Sequence, residues 1–353
     1  MNKIDIGSLN IEELKSMVAQ LGEKPFRAKQ LYEWIHTKLV GTFDEMSNLS
    51  KNFRQQLENN CEIKKMKMVD RQISKIDKTE KFLFLLDDGN VIESVLMRYD
   101  YGNSVCISSQ AGCKMGCTFC ASTIGGLKRS LTPSEMLFQI YRIQSTIGER
   151  VSNVVVMGTG EPLDNYGNLV KFINMISDEN GLNISQRNIT VSTCGLVNEM
   201  KRLADERFAI TLALSLHAAT QEKRKKLMPI ANKYSLSEVL SACDYYLEKT
   251  NRRVTLEYAL VKEVNDTDED VLELKKILRN RNFHINLIPV NPVEERNYQR
   301  PSATNAQVFK NKLEKNAINV TIRRERGTDI DGACGQLRRR FIRRETNETI
   351  CND

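Results

Sequence analysis

From residue 104 onward the chain repeats one unit, a short run of apolar, β-branched residues followed by a segment with apolar positions at helical spacing. The runs are SVCISS (104–109), NVVVMG (153–158), NITVST (188–193), AITLALSL (209–216), VTLEYALV (254–261), INLIPVN (285–291) and NVTIRR (319–324). Segments such as PSEMLFQIYRIQSTI and VLELKKILRN separate them. Each helix returns the chain to the same end of the sheet, so successive strands pair in parallel. Six to seven such units predict an α/β fold built as an open, partial (β/α) barrel. Chemistry in such barrels gathers at the C-terminal ends of the strands. The unusual residues of this chain fall there. A cysteine-rich loop follows the first strand, and Gly158-Thr159-Gly160-Glu161-Pro162 follows the second. Ser192-Thr193-Cys194-Gly195 closes the third, Ser215-Leu216-His217 the fourth and Asn291-Pro292 the sixth.

The loop after the first strand holds Cys113, Cys117 and Cys120 in a C-x3-C-x2-C array, with Cys106 seven residues upstream. Four readings are open: packing cysteines, a zinc knuckle, a disulfide framework, and an iron–sulfur cluster with one unsatisfied iron. The close spacing disfavours the first. A zinc knuckle needs a fourth ligand, and His36, His217 and His284, the three histidines, do not follow at finger spacing. Disulfides belong to exported chains. MNKIDIGSLNIEELK has no apolar signal core, and no run of about 18 apolar residues suggests a membrane span. Nine cysteines without export signals lead to the expectation of a reducing, cytoplasmic setting. The fourth reading is preferred, because three local thiolates leave one iron of a four-iron cluster open. An open iron binds an amine and a carboxylate, and S-adenosylmethionine (SAM) offers both. Gly160 and Glu161 in the GTGEP turn suit its ammonium, and Ser192, Ser215, His217 and Asn291 suit its hydroxyls or carboxylate. For His217 a hydrogen-bonded buried histidine is an equal alternative.

The rest of the chain adds context. Net charge is +7, and Arg323, Arg324, Arg326, Arg338, Arg339, Arg340, Arg343 and Arg344 crowd the tail. They form either a phosphate-gripping patch or a solvated face. Residues 1–62 are expected to be a small helical accessory domain, opened by a capping box at Asn10 and Glu13. Leu31 and Trp34 supply its core, and His36 is expected to be partly exposed. Residues 63–103 carry a β-hairpin around Asp87-Asp88-Gly89-Asn90. Glu93, among the apolar residues Val91, Ile92, Val95 and Leu96 of its second strand, is either on a solvated face or a general base with a raised pKa; the sequence alone favours the face. Residues 104–345 form the barrel and 346–353 a frayed tail.

The words VCISSQAGC, CTFCA, MGTGEPLDNY, SLHA, KLMPI and DIDGACGQL, spread over almost the whole chain, resemble the RlmN family of radical SAM RNA (adenine-C2) methyltransferases. The resemblance implies a [4Fe-4S] cluster on Cys113, Cys117 and Cys120. It implies SAM held by Gly160, Glu161, Ser192, Ser215, Leu216, His217 and Asn291, with two SAM molecules consumed per methylation. By the same resemblance, Cys334 takes a methyl group from one SAM. The methyl loses hydrogen to the radical made from the second and adds to the base. Cys106 then resolves the adduct through a disulfide with Cys334, and Glu93 accepts a proton. The implied partners are 23S rRNA, a tRNA adenosine beside the anticodon, and an electron donor such as flavodoxin or ferredoxin, acting on a monomer without a membrane. The related Cfr-type enzymes act on carbon 8, and the run Pro162-Leu163-Asp164-Asn165-Tyr166 looks more like RlmN.

Overall fold

The computed structural model describes residues 3–281, 283–291, 293, 295–330 and 335–350, with side chains described as far as residue 343. The chain opens with strand β1 (Ile4–Asp5) and three helices, α1 (Ile11–Gln20), α2 (Phe26–His36) and α3 (Lys51–Asn60). Strand β2 (Cys61–Glu62) then pairs in parallel with β1 and closes the unit. The Asn10 side chain accepts the N–H groups of Glu12 and Glu13, and Glu13 accepts the N–H of Asn10, so the expected capping box is present. Leu14, Met17, Val18, Leu31 and Ile35 are buried between the helices, and Trp34 packs at their margin. His36 departs from expectation, because it is fully buried. Its Nδ1 lies 2.9 Å from the Tyr141 hydroxyl, on a helix of the barrel. The period of α2 alone does not reveal that its last turn is covered by a second layer.

Strands β3 (Met66–Ile73), β4 (Glu80–Leu86), β5 (Val91–Tyr99) and β6 (Gly102–Cys106) follow as an antiparallel meander. The β4–β5 hairpin turns at Asp87–Asn90, with Gly89 at φ +81°. The short pair β7 (Gln110–Gly112) and β8 (Leu127–Ser130) brackets the cysteine loop. The repeat then runs α4 (Pro133–Ile147), β9 (Val151–Val156), α5 (Tyr166–Ile176), β10 (Ile189–Thr193), α6 (Val197–Asp205), β11 (Thr211–Ser215), α7 (Gln221–Leu227) and α8 (Leu236–Thr250). It ends with β12 (Val254–Leu260), α9 (Asp268–Ile277), β13 (His284–Pro289), α10 (Ala303–Lys315), β14 (Asn319–Ile322) and α11 (Gln336–Ile350).

One ten-stranded sheet results, in the order β14-β13-β12-β11-β10-β9-β6-β5-β4-β3. β6 and β9 to β14 are mutually parallel, which is the partial barrel expected; β3 to β5 extend its edge in antiparallel sense. Helix α11 continues through residues 346–350, where a frayed tail was expected. Arginine and glutamate favour helix, and no Gly or Pro interrupts the run after Gly335.

The register separates the two faces of the sheet. Residues opposite one another share a face, and so do residues two apart on a strand. Val105, Val154, Val156, Val191, Leu212, Leu214, Val254, Leu256, Ile285 and Leu287 lie on one face, all buried under the helices. The other face is mixed. Its cross-strand rows carry Lys81, Val95 and Cys106, then Ser192 beside Ala213, then Ser215, Glu257 and Asn286. Across β10 to β13 this face is the barrel interior, and over β4 and β5 its Leu83, Leu85 and Val91 pack against Leu337 and Phe341 of α11.

Candidate active site

The cysteine loop is shaped by close contacts that only glycine tolerates. Gly112 has φ +82°, and a Cβ there would stand 2.0 Å from Gly126 O. This approach lets Cys113 N–H donate to Gly126 O. Gly116 turns the backbone between the first two cysteines at φ +72°. The Thr118 N–H donates to Leu227 O, tying the loop to the end of α7. The Thr123 hydroxyl donates to Cys117 O and Cys120 O. Burial pushes the Cys113 thiol up to about 12 and Cys117 well above its usual value, and the neighbouring cysteine charges push the same way. The three thiols therefore feel one another across the loop.

The GTGEP turn locks against the strand that leads into this loop. A Cβ on Gly158 would meet Ile107 O at 2.7 Å, and one on Gly160 would meet the Gln110 side chain at 2.6 Å. Thr159 O accepts the N–H groups of Ser109 and Gln110, and Glu161 N–H donates to Gln110 Oε1. The Glu161 carboxylate is buried and accepts the N–H of Leu163 and, at 2.8 Å, the N–H of Cys194. Burial raises its pKa. It thus joins the ends of β9 and β10, a framework task that the sequence did not disclose.

Ser192 and Ser215 lie at the ends of β10 and β11 on the interior face, and Leu216 is buried beside them. His217, at φ +55°, accepts the Ala259 N–H at Nδ1, and its ring meets Phe119 edge-on at 4.9 Å between centroids. Burial, with Arg224 nearby, lowers its pKa to about 3. Asn291 is exposed just past β13. Arg224 is wholly buried and donates to the carbonyls of Cys194, Ser215 and Leu216. Among the described residues, Arg224 Nη1, Thr159 Oγ1 and Ser122 Oγ are buried without a hydrogen-bond partner.

Glu93 is not on a solvated face. It is 2% exposed in its side chain and ion-paired with the fully buried Lys81 at 3.1 Å. Its carboxylate also accepts the Gly335 N–H and, at 3.1 Å, the Arg338 N–H at the start of α11. The hairpin was read correctly, but the face of β5 that holds Glu93 is covered by the start of α11 and not by water. Cys106 is buried on the same face, one strand away. Cys334 lies outside the described residues. No disulfide joins two described cysteines, and Cys194 and Cys243 are buried packing residues as expected. The arginine-rich tail is partly committed. Arg338 is buried with its Nε on Val91 O, Arg339 and Arg343 pair with Glu295, and Arg326 covers the Tyr99 ring. Glu257, buried in the interior and hydrogen-bonded by Asn286 at 2.9 Å, drew no attention in the sequence, because a lone acid in a strand carries no motif.

Residues 4–63 match the ribosomal RNA large subunit methyltransferase N-terminal domain, and residues 107–274 match the radical SAM superfamily. A protein of Lachnoclostridium phytofermentans described as a probable dual-specificity RNA methyltransferase RlmN is 62% identical over 339 residues, covering 96% of this chain and 95% of that one. A protein of the same description from Clostridium novyi is 54% identical over 96% of this chain and 99% of its own length. The chain belongs to the RlmN family of radical SAM methyltransferases. The crystal structure of a radical SAM methyltransferase from Sphaerobacter thermophilus superposes with a TM-score of 0.90, at 38% identity, over 94% of this chain and 98% of that one. The chain is accordingly an enzyme of the radical SAM methyltransferase class.

Membership in the radical SAM superfamily implies an iron–sulfur cluster and SAM, and the residues present fit both. The loop offers three soft thiols, Cys113, Cys117 and Cys120, between the short strands β7 and β8. The unpartnered Arg224, Thr159 and Ser122 atoms suit a polar ligand such as SAM.

Proposed function

We propose that this enzyme methylates carbon 2 of an adenosine in the peptidyl transferase centre of 23S rRNA, and of the adenosine beside the anticodon in tRNA. It would act in the cytoplasm as a monomer, with flavodoxin or ferredoxin as electron donor. No described helix is long and apolar enough to cross a membrane. We assign residues 1–62 as an accessory unit gripping RNA, 63–103 as the hairpin extension, 104–345 as the catalytic barrel and 346–353 as the tail. The observation that carries the reading is the shared interior face of Glu93 and Cys106, with Glu93 bonded to the residue directly after Cys334.

Cys113, Cys117 and Cys120 would hold a [4Fe-4S] cluster, and Gly160, Glu161, Ser192, Ser215, Leu216, His217 and Asn291 would line the SAM site. When bound, a reduced cluster of this kind supplies an electron that breaks a C–S bond of SAM and yields a 5′-deoxyadenosyl radical. Cys334 first displaces the methyl group of one SAM as a thiolate. Its S-methyl then loses a hydrogen atom to the radical from a second SAM, and the carbon left on Cys334 bonds to the base. This route suits carbon 2 of adenine, which is electron-poor and not nucleophilic. Glu93 would take the proton from carbon 2 as the adduct gives up its unpaired electron to a one-electron acceptor. The Cys106 thiolate would then attack the Cys334 sulfur, the carbon–sulfur bond would break, the released carbon would take up a proton as the new methyl group, and the two cysteines would be left as a disulfide. External thiols return the pair to the reduced state.

In a reconstituted assay, Cys106→Ala is expected to trap a covalent enzyme–RNA adduct, and Cys334→Ala to form none. Normal turnover by both variants would overturn the two-cysteine route. Mass spectrometry and primer extension on the product separate carbon 2 from the carbon 8 of the Cfr-type alternative.

A further inference from the structure

Nothing in the sequence marks Lys81, a lysine in the apolar run of β4. In the fold it is completely buried, with its ammonium 3.1 Å from Glu93 Oε1. A lysine leaves water only where an anion compensates. Its register places it opposite Val95, which stands opposite Cys106. The ammonium therefore belongs to the interior face that carries Cys106 and Glu93. The same carboxylate accepts the N–H groups of Gly335 and Arg338, and Gly335 directly follows Cys334. Arg338, the other cation beside Glu93, directs its Nε to Val91 O at 2.8 Å. Its backbone, as well as its charge, is thus part of the junction.

We propose that Lys81 is a positioning residue for the methyl transfer. Its ammonium holds the Glu93 carboxylate where β5 meets the first turn of α11, so that the proton acceptor and the chain neighbour of Cys334 meet at one point. This rests on the reading of Glu93 as the proton acceptor. No bond forms or breaks at Lys81, which acts only through Glu93. A neutral side chain at 81 leaves a buried carboxylate without its counter-charge, and the carboxylate then loses its charge or its aim. The base attached to Cys334 would keep its proton and stay attached.

The test uses the full chain with its cluster reconstituted, SAM, a 23S rRNA fragment and a chemical reductant. Three chains are compared with wild type: Lys81→Met, Lys81→Gln and Glu93→Gln. Circular dichroism, iron content and the mass of S-methylated Cys334 report folding and the first methyl transfer. Denaturing gels report covalent RNA adduct. Lys81→Met is expected to keep iron and Cys334 methylation, to slow turnover at least tenfold, and to accumulate adduct as Glu93→Gln does. A merely structural lysine would lower the folded fraction without leaving adduct. A folded Lys81→Met chain that turns over without adduct overturns the proposal. Normal turnover by Glu93→Gln overturns instead the reading of Glu93. Should Lys81→Met not fold, Lys81→Gln decides, being neutral yet able to donate to Glu93. Adduct with iron content and Cys334 methylation kept supports the proposal. A Lys81→Gln chain that turns over without adduct, or does not fold, overturns it.

Discussion

The burial of His36 makes the junction between the helical unit and the barrel acid-sensitive, and the size of the effect follows from its surroundings. Burial lowers the His36 pKa from 6.5 to about 3. The unfolded chain takes up a proton at this ring below pH 6.5, whereas the folded chain refuses it until pH 3. Folding stability from this group is therefore full above pH 6.5 and declines as pH falls toward 3. Between pH 7 and pH 5 the loss is about 2 kcal/mol, from linkage at 1.36 kcal/mol per pH unit over about one and a half units. His36→Gln keeps a group able to bond the Tyr141 hydroxyl but does not titrate. Urea unfolding of both chains at pH 7 and pH 5 isolates the term, because other titrating groups, His217 included, are common to both. Wild type should lose about 2 kcal/mol more than the variant. If the gap between the two chains changes by less than about 0.5 kcal/mol, the imidazole is not held neutral at this junction.

Two further outcomes are expected. Gln139, fully buried on α4, accepts from Ser94 Oγ and Ser108 N–H and donates to Ser108 O and Glu135 O. Gln139→Leu strands the two Ser108 backbone groups and should cost about 2–6 kcal/mol, read from the urea midpoint. Gly112→Ala places a methyl group 2.0 Å from Gly126 O and should abolish retention of iron by the reconstituted chain, measured per mole of protein. Full iron content would refute the role given to this contact.

The parallel array was legible because each strand pairs β-branched residues with a helix of clear period, and the cysteine loop because its spacing is short-range. Cys113, Cys117 and Cys120 act within one loop, so eight residues contain the whole signal. The strand pair β7–β8 that braces the loop escaped, being only three and four residues long. Lys81, Arg224 and Glu257 escaped for another reason. Each is polar, single and buried, and its partners come from other elements: Glu93 on β5, the carbonyls after β10 and β11, and Asn286 on β13. No local pattern announces a partner that distant.

The misreading of Glu93 has the same root, and it bears on how such strands are to be read. An alternating strand has one apolar and one polar face, and in a sandwich or open sheet the polar face meets bulk water. In a partial barrel the polar face meets the lumen. Ser192, Ser215, Glu257 and Asn286 continue the face begun by Lys81, Glu93 and Cys106, across strands β4 to β13. The register decides it: Val95 stands opposite Cys106 and Cys106 opposite Val155, so Glu93, two residues from Val95, lies on the face that Thr190 and Ser192 continue. A carboxylate on that face must then be paired, bonded or used. Glu93 is both paired, with Lys81, and bonded, to the backbone at the start of α11.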